Sequence, residues 1–364
     1  MYFAILWKNP EISKAELQLI QPTDISYPKK GVVIFETQHT ERISTLGGII
    51  KAGRVVQERD LPTELQDCKI IGIKEDANGK HLKKTIGIRR FKLVDYFHTD
   101  KEIKEKGKEL INLGNWLYGI VEQYQNIWLY EAIDFDKPDR SMKMGMMPAK
   151  LTHIMINIWL NESQLSTPFT ERGRAGTAGH LVIYDPFVGS WTTWFLSNAL
   201  GFDFIGSDIN IKHIERNLPR WKTTTFYHPE HTFEIFQHDI NLPFPKNDFS
   251  DISGDFSDLL IVTEGRLGPI VKVGTAEREI SAIQQETAKF YQNFIIQIHE
   301  LFLAQPKRPV IVFTIPIYSG KNYIETDIIK TIKNFKWRDL TSIPEVYQRE
   351  NQNIGRKILI VKKG

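Results

Sequence analysis

The stretch from His180 to Asn210, HLVIYDPFVGSWTTWFLSNALGFDFIGSDIN, constrains the fold more than any other part of this chain. Leu181 to Tyr184 is an apolar run too short for a helix and preceded by Gly179, which predicts a buried strand. Asp185-Pro-Phe-Val-Gly-Ser-Trp-Thr-Thr193 follows as a turn with one glycine and three hydroxyl residues. Trp194 to Ala199 is predicted to be a helix closed by Leu200-Gly201, and Phe204-Ile205 begins a second strand ending at Asp208. Strand, tight turn, helix, strand and terminal acid make half of a nucleotide-binding sheet. The turn brings backbone amides and hydroxyls to a helix N-terminus, where aligned peptide dipoles favour a polar or anionic ligand group. An acid about 20 residues on can accept hydrogen bonds from ribose hydroxyls, and Asp208 takes that place. The expected ligand is an adenosine-containing cofactor.

At 364 residues the chain exceeds one ordinary domain, so two or three units are expected. Its 41% hydrophobic content is enough for real cores, and its 25% charged content is that of an ordinary water-exposed protein. The net charge of +3 is too small to identify a nucleic-acid binder unaided. One cysteine, Cys68, excludes intramolecular disulfides and Cys-based zinc sites, and no histidine pair has zinc-binding spacing. No apolar run is long enough to span a bilayer. Met1 to Trp7 is apolar but lacks a basic leader and a cleavage site, so it is read as a strand. The expectation is a cytoplasmic protein without membrane or metal partners.

The N-terminal part alternates short strands and helices. Tyr2 to Leu6 and Gly31 to Phe35 are predicted strands, and Ser13 to Ile20 is a helix capped by Ser13 with Glu16 three residues on. Thr40 to Leu46 is expected to be helical and ended by Gly47-Gly48, with Gly53 to Gln57 extended. Between Lys69 and Ile133 the expected elements are a strand at 86–92, a helix from Asp100 to Leu113 and a closing strand from Ile127 to Ile133. Asp134 to Lys143, charged and containing Pro138, is the expected linker. Beyond Pro148 a helix from Lys150 to Leu160 precedes the loop Thr170 to Gly179. Strands at Thr232–Phe236, Leu259–Val262 and Val310–Thr314 are then widely spaced around helices such as Glu277 to Leu303. Such spacing implies a mostly parallel, doubly wound sheet. The end differs: Glu345 to Arg349 and Arg356 to Lys362, joined by a turn at 350–355, form an antiparallel hairpin that separates methyltransferase sheets from most dehydrogenase sheets.

These segments carry a resemblance. DPFVGSWTT resembles the DPF-x-GSGT turn of amino-group methyltransferases that use S-adenosylmethionine (SAM). Gly145-Met-Met-Pro-Ala-Lys-Leu-Thr-His-Ile-Met-Ile-Asn157 resembles the GMLPPKLA-x-IM-x-N segment of THUMP-associated tRNA guanine-N2 methyltransferases. Asn9 to Leu17, Leu46-Gly-Gly48 and Tyr347 to Ile360 are similar to that family's ferredoxin-like leader and closing hairpin. The resemblance implies a Rossmann-like α/β methyltransferase sheet behind a smaller α+β region. The boundaries it gives are a ferredoxin-like domain over 1–65, a shortened THUMP-like region over 66–133, a linker over 134–147 and a methyltransferase domain over 148–364.

It also implies roles. Asp185, within the turn that includes Phe187, would accept from the cofactor's ammonium group, while Gly189 and Ser190 allow close approach to its methionine part. Asp208 would hold the ribose. Asp239 would accept from the adenine amino group, with Ile209 and Ile240 as apolar walls. Pro148 and Lys150 would approach the methionine carboxylate. The family's D-P-P-Y loop is replaced here by Glu264-Gly-Arg-Leu267. Glu264 then stands for the catalytic acid and Leu267 for the aromatic, and Trp191 occupies a position where the family prefers glycine. A basic patch of Lys83, Lys84, Arg89, Arg90 and Lys92, together with Arg266, is the candidate RNA contact. The resulting expectation is transfer of a methyl group to an exocyclic base amine, guanine-N2 in tRNA. The alternatives are a non-catalytic SAM- or RNA-binding relative and a DNA amino-methyltransferase.

Overall fold

The computed structural model describes residues 1–73, 82, 86, 91–94, 101–138, 146–162, 181–212, 214–244, 259–269, 271, 274–303, 310–318, 324–341, 343, 346–348 and 353–363. Lys83, Lys84, Arg89, Arg90 and the loop at 170–179 lie outside the described residues. The chain divides into two compact units, 1–126 and 127–364.

The first unit contains β1 (Tyr2–Leu6), α1 (Pro10–Leu17), β2 (Thr23–Lys29), β3 (Val32–Glu36), β4 (Ile49–Gln57), α2 (Leu61–Glu64), β5 (Ile70–Ile73), β6 (Phe91–Leu93), α3 (Lys101–Lys106), β7 (Gly107–Gly114) and β8 (Leu117–Tyr124). Its strands form one sheet in the order β2-β3-β1-β4-β8-β7-β5-β6. Glu16, predicted to cap α1, instead reaches another element: its two carboxylate oxygens accept from the amides of Gly47 and Gly48, each at 2.7 Å. The helix expected over Asp100 to Leu113 stops at Lys106. From Gly107 neighbouring side chains go to different cores, and Glu109, Leu110 and Ile111 are buried in succession. Leu110 packs with Ile71 and Ile120, while Ile111 packs with Phe3 and Ile5 in a separate cluster. Side chains that alternate between two cores require a strand. Lys51 and Glu109, both fully buried, pair at 2.6 Å.

The second unit opens with α4 (Ile127–Asp134), which corrects the predicted closing strand. Leu129, Tyr130 and Ile133 form its single buried stripe, a helical spacing. The Asp134 side chain then accepts from the amide of Ala149 at 3.0 Å, at the start of α5 (Ala149–Glu162). There follow β9 (Val182–Asp185), α6 (Thr192–Ala199), β10 (Asp203–Asp208), α7 (Ile214–Trp221), β11 (Phe233–Gln237), β12 (Leu259–Glu264), α8 (Glu277–Leu301), β13 (Val310–Tyr318), α9 (Ile324–Asn334), β14 (Trp337–Asp339), β15 (Val346–Tyr347) and β16 (Ile354–Lys363). The sheet order is β11-β10-β9-β12-β13-β16-β14. β9 to β13 pair in parallel, and β16 runs antiparallel to both neighbours. This is a Rossmann-like, mostly parallel sheet with one antiparallel strand inserted near its edge.

The terminal antiparallel pairing is described in part. Among the described residues Val346 and Tyr347 of β15 pair with β16, and β16 has a second partner in the three residues of β14. That strand is too short to carry a periodic signal. Along α8, Tyr291, Phe294, Ile295 and Ile298 are fully buried against Ile311, Phe313 and Ile315 of β13 and against α9. Each such side chain contributes about 1.5–3 kcal/mol by leaving water. That packing fixes the helix, and with it the loops above the carboxyl ends of the strands.

Candidate functional site

Four parallel strands end side by side, β9 at Asp185, β10 at Asp208, β11 at Gln237 and β12 at Glu264. The loops they feed enclose a cavity of about 480 Å3, within the usual range for a small-molecule or cofactor site. In open α/β sheets a ligand crevice forms outside the carboxyl ends of the strands. The cavity occupies that position.

Asp185 lines the cavity although its side chain is almost wholly buried. Its Oδ1 accepts from the Phe187 amide at 2.9 Å and from the Thr263 hydroxyl, and Thr193 also donates to the carboxyl group. Desolvation is the dominant influence and lifts its pKa from 3.8 to about 6 against those donors. A raised carboxyl pKa means the fold favours the protonated form. The stabilisation from that form is complete below the unfolded pKa and is lost as pH rises through about 6. Asp185→Asn is therefore expected to raise the melting temperature near neutral pH and to change it little near pH 4. Melting curves across that window check this, and an equal shift at both ends contradicts it.

The next strand supplies Asp208, whose two oxygens accept from Gly189 and Asn210 amides, each at 2.9 Å. The Val188 amide donates to the Ser207 carbonyl at 3.1 Å. The turn after β9 is thus tied to the end of β10. Gly189 and Trp191 both take positive φ, +48° and +73°. This conformation suits glycine and is costly for other residues.

Trp191 does not enter the cavity. It is 1% exposed and meets Trp194 edge-on with ring centroids 5.0 Å apart, with Phe195 and Phe233 at 6.2 and 6.5 Å. The indole completes an aromatic cluster behind the turn and leaves its inner face to Gly189, Ser190, Thr192 and Thr193.

The third wall comes from the loop after β11. His238, Asp239, Ile240 and Asn241 line it, facing Ile209, which is 64% exposed at the rim. Asp239 Oδ1 accepts from both the backbone and the side-chain amide of Asn241, at 2.9 and 2.8 Å. The His238 ring stacks on Phe244 at 4.7 Å, and burial holds its pKa below the ordinary imidazole value. Its Nε2 is buried without a hydrogen-bond partner among the described residues.

The fourth wall is the loop Glu264 to Gly268. Its carboxylate is already engaged: Arg356 of β16 donates through Nε to Glu264 Oε1, and the two side chains are 3% and 9% exposed. The Arg356 guanidinium also reaches the Met146 carbonyl and lies 5.9 Å from the centre of the Tyr347 ring. Tyr291 and Tyr318 hold the loop from behind through the carbonyls of Arg266 and Leu267. A Cβ at Gly265 would lie 2.5 Å from the Tyr291 ring, so glycine is needed there for close approach. Arg266 pairs with Glu286 at 2.9 Å on the exposed side.

The fold brings Asp185, Phe187, Gly189, Ser190, Asp208, Ile209, Asp239, Ile240, Glu264, Arg266 and Leu267 to one cavity. Pro148 and Lys150 are not in its wall, and the Lys150 ammonium lies 5.4 Å from the centre of the Tyr130 ring. Lys92, in the first unit, is exposed and 3.7 Å from Glu102. Sequence reading missed His238, Asn241 and Phe290. The Phe290 ring lines the cavity and meets Phe187 at 5.0 Å. On an amphipathic helix its spacing from Phe294 signals a core position, so no pattern sets it apart. Among the described residues no cluster of His, Cys, Asp or Glu is placed to hold a metal, and no helix is long and apolar enough to cross a membrane.

No family model matches this chain, and no curated protein matches it. Among solved structures it is similar to a SAM-dependent methyltransferase from Methanosarcina mazei, with 12% identity, a TM-score of 0.34 and coverage of 54% of this chain and 97% of that one. A human methyltransferase 10 domain containing protein is similar at 11% identity and TM-score 0.36, covering 64% and 92%. Magnesium protoporphyrin IX methyltransferase from Synechocystis, with SAM bound, is similar at 12% identity and TM-score 0.32, covering 65% and 91%. Likeness at this level bears on neither activity nor substrate.

Proposed function

We propose that this protein is a SAM-dependent methyltransferase acting on an exocyclic amino group of a nucleic-acid base, with guanine-N2 in tRNA as the favoured acceptor. The observation that carries the reading is the pairing of the Asp185 turn with Asp208 across adjacent parallel strands, at the mouth of a cavity of about 480 Å3. The antiparallel β16 beside β13 supports a methyltransferase over a dehydrogenase, as does the single glycine in the turn.

The residues present fit the cofactor. No side chain caps the N-terminus of α6, so its positive end suits the polar methionine part. Asp208 offers carboxylate lone pairs to the ribose. Asp239 and Asn241 offer acceptors and donors to the adenine edge between Ile209 and Ile240. When bound, SAM supplies a methyl group activated by a positively charged sulfur. The protein's task is then orientation, holding the acceptor nitrogen's lone pair in line with that methyl. Glu264 retains lone pairs to accept an amine hydrogen beyond the bond from Arg356. The stacking face that Leu267 lacks is available on Phe290, and base stacking on such a ring contributes about 1–3 kcal/mol. Arg266 and the N-terminal unit, read as ferredoxin-like and THUMP-like, are the proposed contacts for the RNA backbone.

Calorimetric titration with SAM tests this reading. Micromolar binding is expected, with at least ~100-fold loss in Asp208→Ala, the size of two charge-assisted hydrogen bonds. Absence of binding by the unaltered protein would leave the non-catalytic reading. The Glu264–Arg356 ion pair favours that second reading, because it draws charge from the carboxylate that the reaction would use.

A further inference from the structure

We infer that the loop after β12 offers two backbone N–H groups, those of Leu267 and Gly268, to a ring carbonyl oxygen of the acceptor base. This rests on the methyl-transfer reading above and deepens it, from recognition of an amine to recognition of an amine and a carbonyl together. Tyr318 is fully buried, and its hydroxyl donates to the Leu267 carbonyl. Tyr291, equally buried, donates to the Thr314 carbonyl at 2.8 Å and lies 3.4 Å from the Arg266 carbonyl oxygen. Both loop carbonyls are thus turned toward the core, and neither tyrosine is in the cavity wall. No cis peptide bond occurs among the described residues, and in a planar trans peptide the N–H points opposite to the carbonyl. The amides of Leu267 and Gly268 therefore face away from the core, on the side where the loop lines the cavity. Among the described residues no backbone acceptor is paired with either. Gly268 permits the arrangement, because its φ is +76° and a Cβ there would collide with the Tyr318 hydroxyl. Successive amides in such a turn form a concave donor site for oxygen.

The charge of the wall decides which oxygen. Asp185, Asp208, Asp239 and Glu264 line the cavity, and Arg266 in the same wall is paired with Glu286. A phosphate brought among those carboxylates is repelled, whereas a neutral carbonyl is not. Glu264 at the start of the loop has lone pairs for amine hydrogens, and the two amides near its end have hydrogens for an oxygen. Guanine carries an amine and a carbonyl on one edge, and adenine carries no carbonyl. Tyr318 acts through the loop and is a positioning residue, holding the peptide between Leu267 and Gly268 with its N–H outward.

The test measures transfer of labelled methyl from SAM to a pool of unmodified tRNA transcripts, made either with guanosine or with 6-thioguanosine, whose sulfur is a weak acceptor. The unaltered protein is expected to prefer the guanosine RNA by about 10-fold in kcat/KM, the size of one or two neutral hydrogen bonds. Tyr318→Phe keeps the ring and frees the peptide. It is expected to shrink that preference to within about threefold, while S-adenosylhomocysteine still binds within about twofold, which also reports that the variant is folded. A 6-thioguanosine RNA that merely folds poorly lowers transfer equally for both proteins, so only a preference that shrinks in the variant supports the proposal. Should Tyr318→Phe fail to fold, Gly268→Ala, whose Cβ displaces the same peptide, is expected to give the same shrinkage. Equal transfer to both RNAs by the unaltered protein, an undiminished preference in the variant, or methyl recovered on adenosine overturns the proposal and leaves SAM-dependent methyl transfer standing. An unaltered protein that binds no SAM, or binds it and methylates neither RNA, refutes the reading on which this rests and the proposal with it.

Discussion

Replacing Arg356 by methionine is expected to lower the unfolding free energy by ~3–5 kcal/mol near neutral pH, the cost of leaving one member of a buried ion pair without its partner. Arg356 and Glu264 are 3% and 9% exposed, so solvent screens neither charge. The variant also loses the guanidinium contacts to the Met146 carbonyl and the Tyr347 ring. Glu264→Gln is expected to cost less, because a carboxamide oxygen still accepts from Arg356 Nε. The double variant Glu264→Gln, Arg356→Met is expected to recover at least ~1 kcal/mol relative to the sum of the single changes, since the two residues are in contact. Denaturant melts of the four proteins measure this. A cost below ~1 kcal/mol for Arg356→Met would show that the pair is solvated. For the proposed methyl transfer, the same set separates two causes of a loss on changing Glu264. If Glu264 serves mainly to seat Arg356 and the loop, the double variant regains activity along with stability. If its carboxylate accepts from the substrate amine, stability returns and activity does not.

The turn and the acid that ends the next strand were legible because they are local. Strand, turn, helix and Asp208 occupy about thirty consecutive residues, and each step follows from spacing and residue type. The parallel sheet was legible from wide strand spacing, and its antiparallel closing strand from the long apolar run Arg356 to Lys362. The Glu264–Arg356 pair was not, because it joins positions 92 residues apart and depends on β16 lying beside β13. The misreadings of 107–113 and 127–133 share a cause. Gly107 to Gly114 contains Lys and Glu, which favour helices, but tertiary burial on two faces overrode that preference. Ile127 to Ile133 is apolar enough for a strand, but only one stripe of it is buried. For short apolar runs, periodicity cannot decide between the two.

Trp191→Ala is expected to destabilise the protein by ~3–5 kcal/mol, as for other fully buried large aromatics, because no neighbour can fill the space between Trp194, Phe195 and Phe233. Trp191→Gly removes the same indole, yet it is expected to be ~1 kcal/mol more stable than the alanine variant. Residue 191 has φ of +73°, which alanine tolerates poorly and glycine adopts freely. At most positions glycine is the less stable of the two, so the reversed order is a direct test of the left-handed backbone. Chemical denaturation of the two variants side by side gives it. Alanine as stable as glycine would contradict the conformation assigned here. The same pair addresses the cofactor. The indole points into the aromatic cluster and not into the cavity, so Trp191→Gly is expected to bind SAM within about threefold of the unaltered protein, a difference below ~0.7 kcal/mol. A tenfold gain would mean that tryptophan crowds the site, and that this residue, more than the altered loop, sets the chain apart from the methyltransferases its turn resembles.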